Sequence, residues 1–151
     1  SINVIIGHNS ESVKKSVSNN LITWVLQKDQ LGTGHAVMQA IPNIKKDSMC
    51  LILYGDVPLI QTSVLEIILA NITDENDVIQ IGEEGKMHPL IALYKKRATP
   101  HLLAALEKGE RKLSKALMGL NVKSLPISRS HYNALRNINT KSDLKSIENE
   151  Y

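Results

Sequence analysis

Short apolar runs alternate with amphipathic stretches along the first half of the chain. Strands are predicted at residues 2–6, 21–26 and 49–53, and helices at residues 10–17 and 35–41. Residues 49–53 are almost entirely apolar, which is typical of a strand covered on both faces. Ser63 and Glu66 have the spacing of a capping box and predict the start of a further helix.

The order of these elements predicts the fold class. Strands and helices that alternate with short connections form a mostly parallel sheet with helices on both faces. The chain is therefore expected to be a Rossmann-like α/β protein. In such folds ligands bind at the carboxyl ends of the strands, so the residues that follow each strand are the first candidates for a site.

The second half of the chain has a less regular pattern. The apolar stretches at 77–81 and 87–94 flank the turn EEGK and predict a hairpin or a crossing pair at the edge of the sheet. Thr99 and Pro100 predict a helix that ends at Gly109. Four further elements are expected: a helix at 112–120, strands at 122–127 and 135–138, and a last helix that begins where Thr140 and Asp143 form a cap.

Composition narrows the class of protein. With 151 residues, 42% of them hydrophobic, the chain is long enough for one domain with a single core, and its apolar runs are too short to cross a membrane. A lone cysteine and the absence of a secretory leader favour a cytoplasmic protein. The net charge of +3 is scattered, and aromatic residues make up only 3%, so nucleic-acid binding is not expected.

The segment YGDVPL carries the sharpest candidate chemistry. Asp56 follows a predicted buried strand, and Pro58 stiffens the turn behind it. A carboxylate at the end of a strand is a natural Mg²⁺ ligand next to a nucleoside triphosphate. The alternative is that Asp56 only caps the turn.

A second candidate is the segment QKDQLGTGHAV. Gln27 closes a predicted strand, and Gly32, Thr33 and Gly34 lead into a helix. Glycines in this position let the backbone approach a base or a phosphate, and a glutamine amide is able to pair with a base edge. Taken alone, this Gly-x-Gly pattern also fits an ordinary strand-to-helix turn.

Together, the segments INVIIGH, WVLQKDQLGTGHAV and LYGDVPLI closely resemble the uridyltransferase domain of bacterial N-acetylglucosamine-1-phosphate uridyltransferase. The resemblance covers residues 1–80. It implies a uracil pocket lined by Gln27, Gly32 and Thr33. It further implies that Asp56 holds the catalytic Mg²⁺ and that Tyr54 and Gly55 border the sugar-nucleotide site.

Residues 86–146 resemble a different family. HPLIALY, LLAALEKGERKL and NINTKSDL are similar to the C-terminal half of molybdenum cofactor guanylyltransferase. This implies an acceptor pocket that includes His88, Arg111 and Asn137. Asn139 falls where the uridyltransferase family places its second metal-site residue, so a catalytic Mg²⁺ shared by Asp56 and Asn139 is implied. The alternatives are a structural hydrogen bond for His88 and a solvated helix end for Arg111.

The resemblances imply one nucleotidyltransferase-like domain over residues 1–151, of the nucleotide-diphospho-sugar transferase type. Residues 1–80 would bind the nucleotide and residues 81–151 the acceptor. The implied reaction transfers a nucleoside monophosphate, from UTP in the favoured reading, to a phosphorylated small molecule such as N-acetylglucosamine 1-phosphate, with release of pyrophosphate. GTP with a molybdopterin acceptor is the first alternative.

The glycine-rich phosphate loop and first strand with which both families begin do not occur in this sequence. The expectation is therefore a truncated chain, a chimera of two related halves, or an assembly module whose open sheet edge pairs with another copy. A non-catalytic module is the second alternative function.

Overall fold

The elements of the computed structural model follow the predicted alternation in the first half of the chain. Residues 1–17, 19–45 and 47–149 are described. The strands are β1 (Ile2–Ile6), β2 (Ile22–Leu26), β3 (Met49–Leu53), β4 (Val78–Glu83), β5 (Lys86–Lys95) and β6 (Val122–Pro126). The α-helices are α1 (Ser10–Ser16), α2 (Thr33–Ala40), α3 (Thr62–Ala70), α4 (Thr99–Glu107), α5 (Leu113–Ala116) and α6 (Lys141–Glu148). Short 3₁₀ helices span Ile41–Asn43, Lys96–Ala98 and Arg129–Leu135.

The chain divides into two compact units. The first unit contains Ser1–Met49 and Lys95–Leu120, and the second contains Cys50–Tyr94 and Asn121–Tyr151. Each unit therefore draws residues from both of the predicted halves. The single domain with halves at 1–80 and 81–151 stays a prediction.

The first unit is built around a parallel strand pair. β1 pairs with β2 from Ile2 opposite Ile22 to Ile6 opposite Leu26. Helix α2 packs against both strands and against α4 and α5. Its buried side is formed by Gly34, Val37 and Ala40, because residues three or four apart share one face of a helix.

The second unit is built around a four-stranded sheet with the order β3-β5-β4-β6. β4 and β5 form an antiparallel hairpin, as expected, and β4 pairs with β6 in parallel. The expected position of the pair at the sheet edge is wrong, because β5 lies beside β3 and β4 lies beside β6. The buried cluster against this sheet comprises Val64, Ile68, Ile79, Ile81, Ile91, Leu93, Leu125, Ile127, Ala134 and Leu135. Helix α3 contributes Val64 and Ile68 and packs on β4.

The prediction that residues 49–53 are covered on both faces is wrong. Met49, Leu51 and Leu53 are 50%, 36% and 39% exposed, and the residues between them are half-buried. β3 is the terminal strand of its sheet. Its apolar run therefore lies on an edge strand, and one face of that strand is exposed. Apolar composition alone does not distinguish this case from a central strand.

The region after β6 also differs from the prediction. Residues 135–138 do not form a strand, because Arg129–Leu135 folds as a 3₁₀ helix and the extended backbone that follows pairs with no strand in the described residues. The cap of α6 is confirmed. Thr140 accepts a hydrogen bond from the Asp143 backbone, and the Asp143 carboxylate accepts from the Thr140 backbone.

Three helix boundaries differ from the sequence prediction. The capping box at Ser63 and Glu66 is not formed, because α3 begins two residues earlier than this box requires and Gln61 stands at its N-cap. Thr99 is the first residue of α4 rather than its cap, because the 3₁₀ helix Lys96–Ala98 leads directly into it. The helix expected at 112–120 is limited to the single turn of α5.

Candidate functional site

Asp56 lies in the turn that follows β3, and two hydrogen bonds join it to the segment before α6. Its backbone carbonyl accepts from the amide of Ile138 at 2.8 Å, and its Oδ2 accepts from Asn137 Nδ2 at 2.9 Å. These residues are 81 positions apart in the sequence but belong to the same unit. The structure thus places residues 137–139 beside the predicted metal ligand.

The second carboxylate oxygen of Asp56 is left without a hydrogen bond. Oδ1 is buried and has no donor among the described residues. A buried charged oxygen without a partner is unfavourable, and a bound cation removes that cost. The negative charge also acts on a neighbour, since burial and then Asp56 raise the pKa of Tyr54.

Asp56 fits a Mg²⁺ ion that takes its remaining ligands from elsewhere. No group of three or more His, Cys, Asp or Glu side chains stands ready to hold a metal in the described ranges. Mg²⁺ is usually held in phosphate-transfer sites by one or two carboxylates with water and substrate phosphates. A hard oxygen donor such as the free Oδ1 suits this arrangement.

Asn139, the predicted second metal ligand, is tied to α6 through its backbone. Its amide donates to Asp143 Oδ2 at 3.0 Å, and this bond is the main cause of the lowered pKa of Asp143. Asn137, predicted to bind the acceptor, is the asparagine whose side chain is hydrogen-bonded to Asp56. The shared metal site of Asp56 and Asn139 stays a prediction.

A cavity of about 570 Å³ opens in the second unit. It is lined by Tyr54, Glu83, Lys86, His88, Tyr132, Asn133, Leu135, Arg136 and Asn137. The cavity therefore brings together three of the residues predicted from sequence, namely Tyr54, His88 and Asn137. Its wall also carries two cationic side chains, Lys86 and Arg136.

His88 and Glu83 form a buried pair in the wall of this cavity. His88 is only 3% exposed, and its Nε2 lies 3.9 Å from Glu83 Oε2. Neither atom has a hydrogen-bond partner among the described residues. Burial, assisted by the charge of Lys86 and opposed by Glu83, lowers the pKa of His88. Because Nε2 has no hydrogen-bond partner, it is able to bind a polar group of a ligand that enters the cavity.

The lowered pKa of His88 predicts that stability depends on pH. The unfolded chain takes up the histidine proton near pH 6.5, whereas the folded chain resists it, so the unfolded state binds more protons below that value. The free energy of unfolding is expected to fall as pH drops from 6.5, by at most about 1.4 kcal/mol per pH unit. Urea unfolding between pH 7.5 and 5 measures this slope, and the His88→Gln variant should flatten it. An equal slope in both proteins would contradict the assignment.

The predicted base-binding residues lie together in the first unit. Gln27, at the end of β2, donates from Nε2 to the Gly32 carbonyl at 3.2 Å and contacts His35 Nδ1 at 3.0 Å. Gly32 is the N-cap of α2 with a φ of 98°, and Thr33 is the first helical residue. The loop thus delivers exposed backbone to the N-terminus of a helix, a place where anions and polar groups are bound.

Arg111, predicted to bind the acceptor, lies in the same unit against this loop. Its carbonyl accepts from the Gly34 amide at 3.4 Å, and an added Cβ at Gly32 would come within 2.8 Å of it. The neighbouring Glu110 carboxylate accepts from the amides of Arg111 and Lys112, and the bond from Lys112 is the main cause of its lowered pKa. The Gly-Glu-Arg turn is therefore ordered by its own carboxylate.

Sequence reasoning missed the charged wall of the cavity. Glu83 and Lys86 are the first and last residues of the turn EEGK, which by itself indicates only a hairpin. Tyr132 lies in the 3₁₀ helix, a segment for which the sequence pattern made no prediction, and Arg136 follows that helix, within residues 135–138 that were predicted to form a strand. His35 is visible in the GTGHAV segment, but its contact with Gln27 depends on how β2 and α2 meet.

Comparison with solved structures defines the fold class. A likeness to solved structures shows an α/β fold of the nucleotide-diphospho-sugar transferase type. A protein of Aquifex aeolicus matches with a TM-score of 0.75 at 19% identity, over 92% of this chain and 71% of the other. The molybdopterin-guanine dinucleotide biosynthesis protein A of Archaeoglobus fulgidus matches with a TM-score of 0.70 at 23% identity, over 96% and 76%.

The sequence assigns the family within that class. Residues 2–122 match the MobA-like NTP transferase domain, and the chain belongs to this family. The family is one of NTP transferase domains. The match crosses the point at which the resemblance changes from one family to the other, so a single domain family covers the first stretch and the second stretch as far as residue 122. The predictions that the chain is a chimera or truncated stay untested.

The uridyltransferase resemblance is confirmed by curated relatives. The bifunctional protein GlmU of Marinobacter nauticus is 45% identical over 75 residues, which is 50% of this chain and 16% of that protein. The GlmU of Francisella philomiragia is 50% identical over 76 residues, 50% of this chain and 17% of that protein. The chain thus spans about a sixth of the length of these relatives. Within the described ranges, the helices are too short or too polar to cross a membrane.

Proposed function

We propose that the chain provides the Mg²⁺-dependent site for transfer of a nucleoside monophosphate from UTP to a phosphorylated sugar such as N-acetylglucosamine 1-phosphate. The observation that carries this proposal is the buried and unpaired Oδ1 of Asp56, oriented by Asn137 at the end of β3. The identity of 45% with GlmU over 75 residues supports UTP as the donor. The family alone supports nucleotide transfer without choosing the substrate.

The proposed roles follow the two units. In the first unit, Gln27, Gly32 and Thr33 bind the base at the start of α2. Tyr54 and Gly55 border the sugar nucleotide, and Asp56 with Asn139 holds Mg²⁺. When bound, Mg²⁺ supplies positive charge next to the reacting phosphate.

The acceptor is proposed to bind in the cavity of the second unit. The acceptor role of Arg111, which belongs to the first unit, stays a prediction from the resemblance. Lys86 and Arg136 offer positive charge to the acceptor's phosphate, and His88 and Asn137 offer polar contacts in the wall. One acceptor phosphate oxygen forms a bond to the α-phosphorus of the triphosphate while the bond to pyrophosphate breaks. The protein's contribution is to position the two phosphates and exclude competing geometries.

A second candidate is guanylyl transfer from GTP to a molybdopterin acceptor. It is favoured by the match of residues 2–122 to the MobA-like family and by the Archaeoglobus fulgidus fold relative. A third candidate is a non-catalytic assembly module. The exposed apolar side chains on edge strand β3 favour it, and such a module would run as a dimer or larger on a sizing column.

Calorimetric titration of the chain with UTP and GTP, with and without Mg²⁺, tests the proposal. We expect UTP to bind more tightly than GTP and its affinity to fall when Mg²⁺ is removed, because Asp56 Oδ1 then faces the phosphates without a bridging cation. Tighter binding of GTP would transfer the assignment to guanylyl transfer. Failure to bind either nucleotide would contradict both catalytic readings and leave the assembly module.

A further inference from the structure

The hydrogen bonds around Gln27 determine which end of its amide is available to a ligand. The same terminal atom of Gln27 contacts the Gly32 carbonyl at 3.2 Å and His35 Nδ1 at 3.0 Å. A carbonyl oxygen only accepts hydrogen bonds, so this atom is the amide nitrogen. It follows that His35 Nδ1 accepts from it and carries no proton.

The side chain of Gln39 lies on the other side of the His35 ring. A neutral imidazole with an unprotonated Nδ1 carries its proton on Nε2. The Gln39 amide nitrogen lies 3.1 Å from Nε2 and 3.5 Å from the His35 backbone carbonyl, so the amide accepts the Nε2 proton only when it turns its oxygen to the ring and gives up the longer contact. A chain of contacts from Gln39 through His35 to Gln27 thus ends at the Gly32 carbonyl.

The amide nitrogen of Gln27 has both of its protons used in this network. Gln27 is only 9% exposed, and its Oε1 accepts no hydrogen bond from any described residue. The group that Gln27 is able to offer a ligand is therefore an acceptor. A buried amide that is held in one orientation discriminates between ligands that present a donor and ligands that present an acceptor.

We propose that His35 is a positioning residue that makes the base site select a nucleobase with an N–H on its pairing edge. This inference rests on the proposed function, in which Gln27 lines the base pocket. Uracil and guanine have a ring N–H on that edge and donate to Gln27 Oε1. Cytosine and adenine have a ring nitrogen lone pair there, which faces the oxygen lone pairs unfavourably. His35 thus acts together with the Gly32 carbonyl to orient the amide, without contact between His35 and the base.

Two variants of His35 separate positioning from general packing. His35→Asn retains an acceptor, because an amide oxygen is able to take the position of Nδ1, whereas His35→Leu has no acceptor at all. The ratio of UTP to CTP affinity is measured by calorimetry for the parent and both variants. We expect a preference for UTP of about tenfold in the parent and in His35→Asn, and a smaller preference in His35→Leu, in which only the Gly32 carbonyl still orients the Gln27 amide. An unchanged ratio in His35→Leu overturns the inference.

A spectroscopic measurement keeps the inference distinct from the proposed function. The ¹⁵N and ¹H shifts of the histidine rings report which nitrogen is protonated, and the His35 signal is the one lost in His35→Asn. A proton on Nε2 supports the positioning network, and a proton on Nδ1 overturns it. If the parent binds neither UTP nor CTP, the proposed function fails and this spectrum alone decides the inference.

Discussion

Replacement of Asp56 by alanine is expected to abolish nucleotide transfer and leave the fold in place. The variant loses the buried Oδ1 that has no partner other than the proposed Mg²⁺, and charge stabilisation of this kind contributes on the order of 10²- to 10³-fold to a rate. Its backbone carbonyl keeps the hydrogen bond from Ile138. Transfer is measured as Mg²⁺-dependent release of pyrophosphate from UTP with the acceptor present.

Two matched variants make the Asp56 result specific to charge. Asp56→Asn keeps the shape and an oxygen that accepts from Asn137, but it removes the negative charge, so we expect it to be almost as impaired as Asp56→Ala. Asp77→Asn changes a carboxylate in the same unit that accepts from the backbone amide of Asn121 at 2.9 Å. This control is expected to retain the parent rate. Full activity in Asp56→Asn would remove Asp56 from the metal site.

The elements that depend on local sequence were predicted well. The bounds of β1 and β3 and the antiparallel hairpin of β4 and β5 agree with the apolar runs and the EEGK turn between them. The cap at Thr140 is also as predicted, because a capping box is formed by residues three apart. These features need no information about distant parts of the chain.

The features that were predicted wrongly depend on tertiary context. Residues 49–53 are as apolar as a central strand, yet β3 lies at the edge of its sheet. The local sequence of a strand does not show which strands lie beside it. Residues 135–138 were expected to pair in a sheet. Ala134 and Leu135 are instead buried in the core by a 3₁₀ helix, so apolar character reflected burial rather than strand geometry.

The residues of the candidate site also divide into those that local sequence identifies and those that only packing brings together. Asp56 was identified because its motif is continuous and lies at the end of a strand. The hydrogen bond from Asn137 and the burial of His88 beside Glu83 arise from packing between elements far apart in sequence. The contact of Asn137 with Asp56 was therefore not predicted, and the cavity wall formed by Glu83, Lys86 and Arg136 could be recognised only once the chain was folded.

Gly32→Ala is expected to destabilise the chain even when no ligand is present. Gly32 has φ 98° and ψ 176°, a conformation that is essentially restricted to glycine, and an added Cβ would lie 2.8 Å from the Arg111 carbonyl oxygen. Because that atom belongs to the backbone, it does not move aside easily. We expect the free energy of unfolding in urea to fall by about 2–4 kcal/mol.

Gly55→Ala is the control that separates a glycine required by the fold from one required by a ligand. An added Cβ at Gly55 meets no heavy atom within 4 Å, and Gly55 is not among the glycines with positive φ. Its stability should therefore stay within about 0.5 kcal/mol of the parent. If Gly55 borders the sugar nucleotide as proposed, the same variant binds UDP-N-acetylglucosamine more weakly in calorimetry. A Gly32→Ala protein as stable as Gly55→Ala would show that the loop relaxes around the new methyl group and that its glycine is retained for the ligand alone.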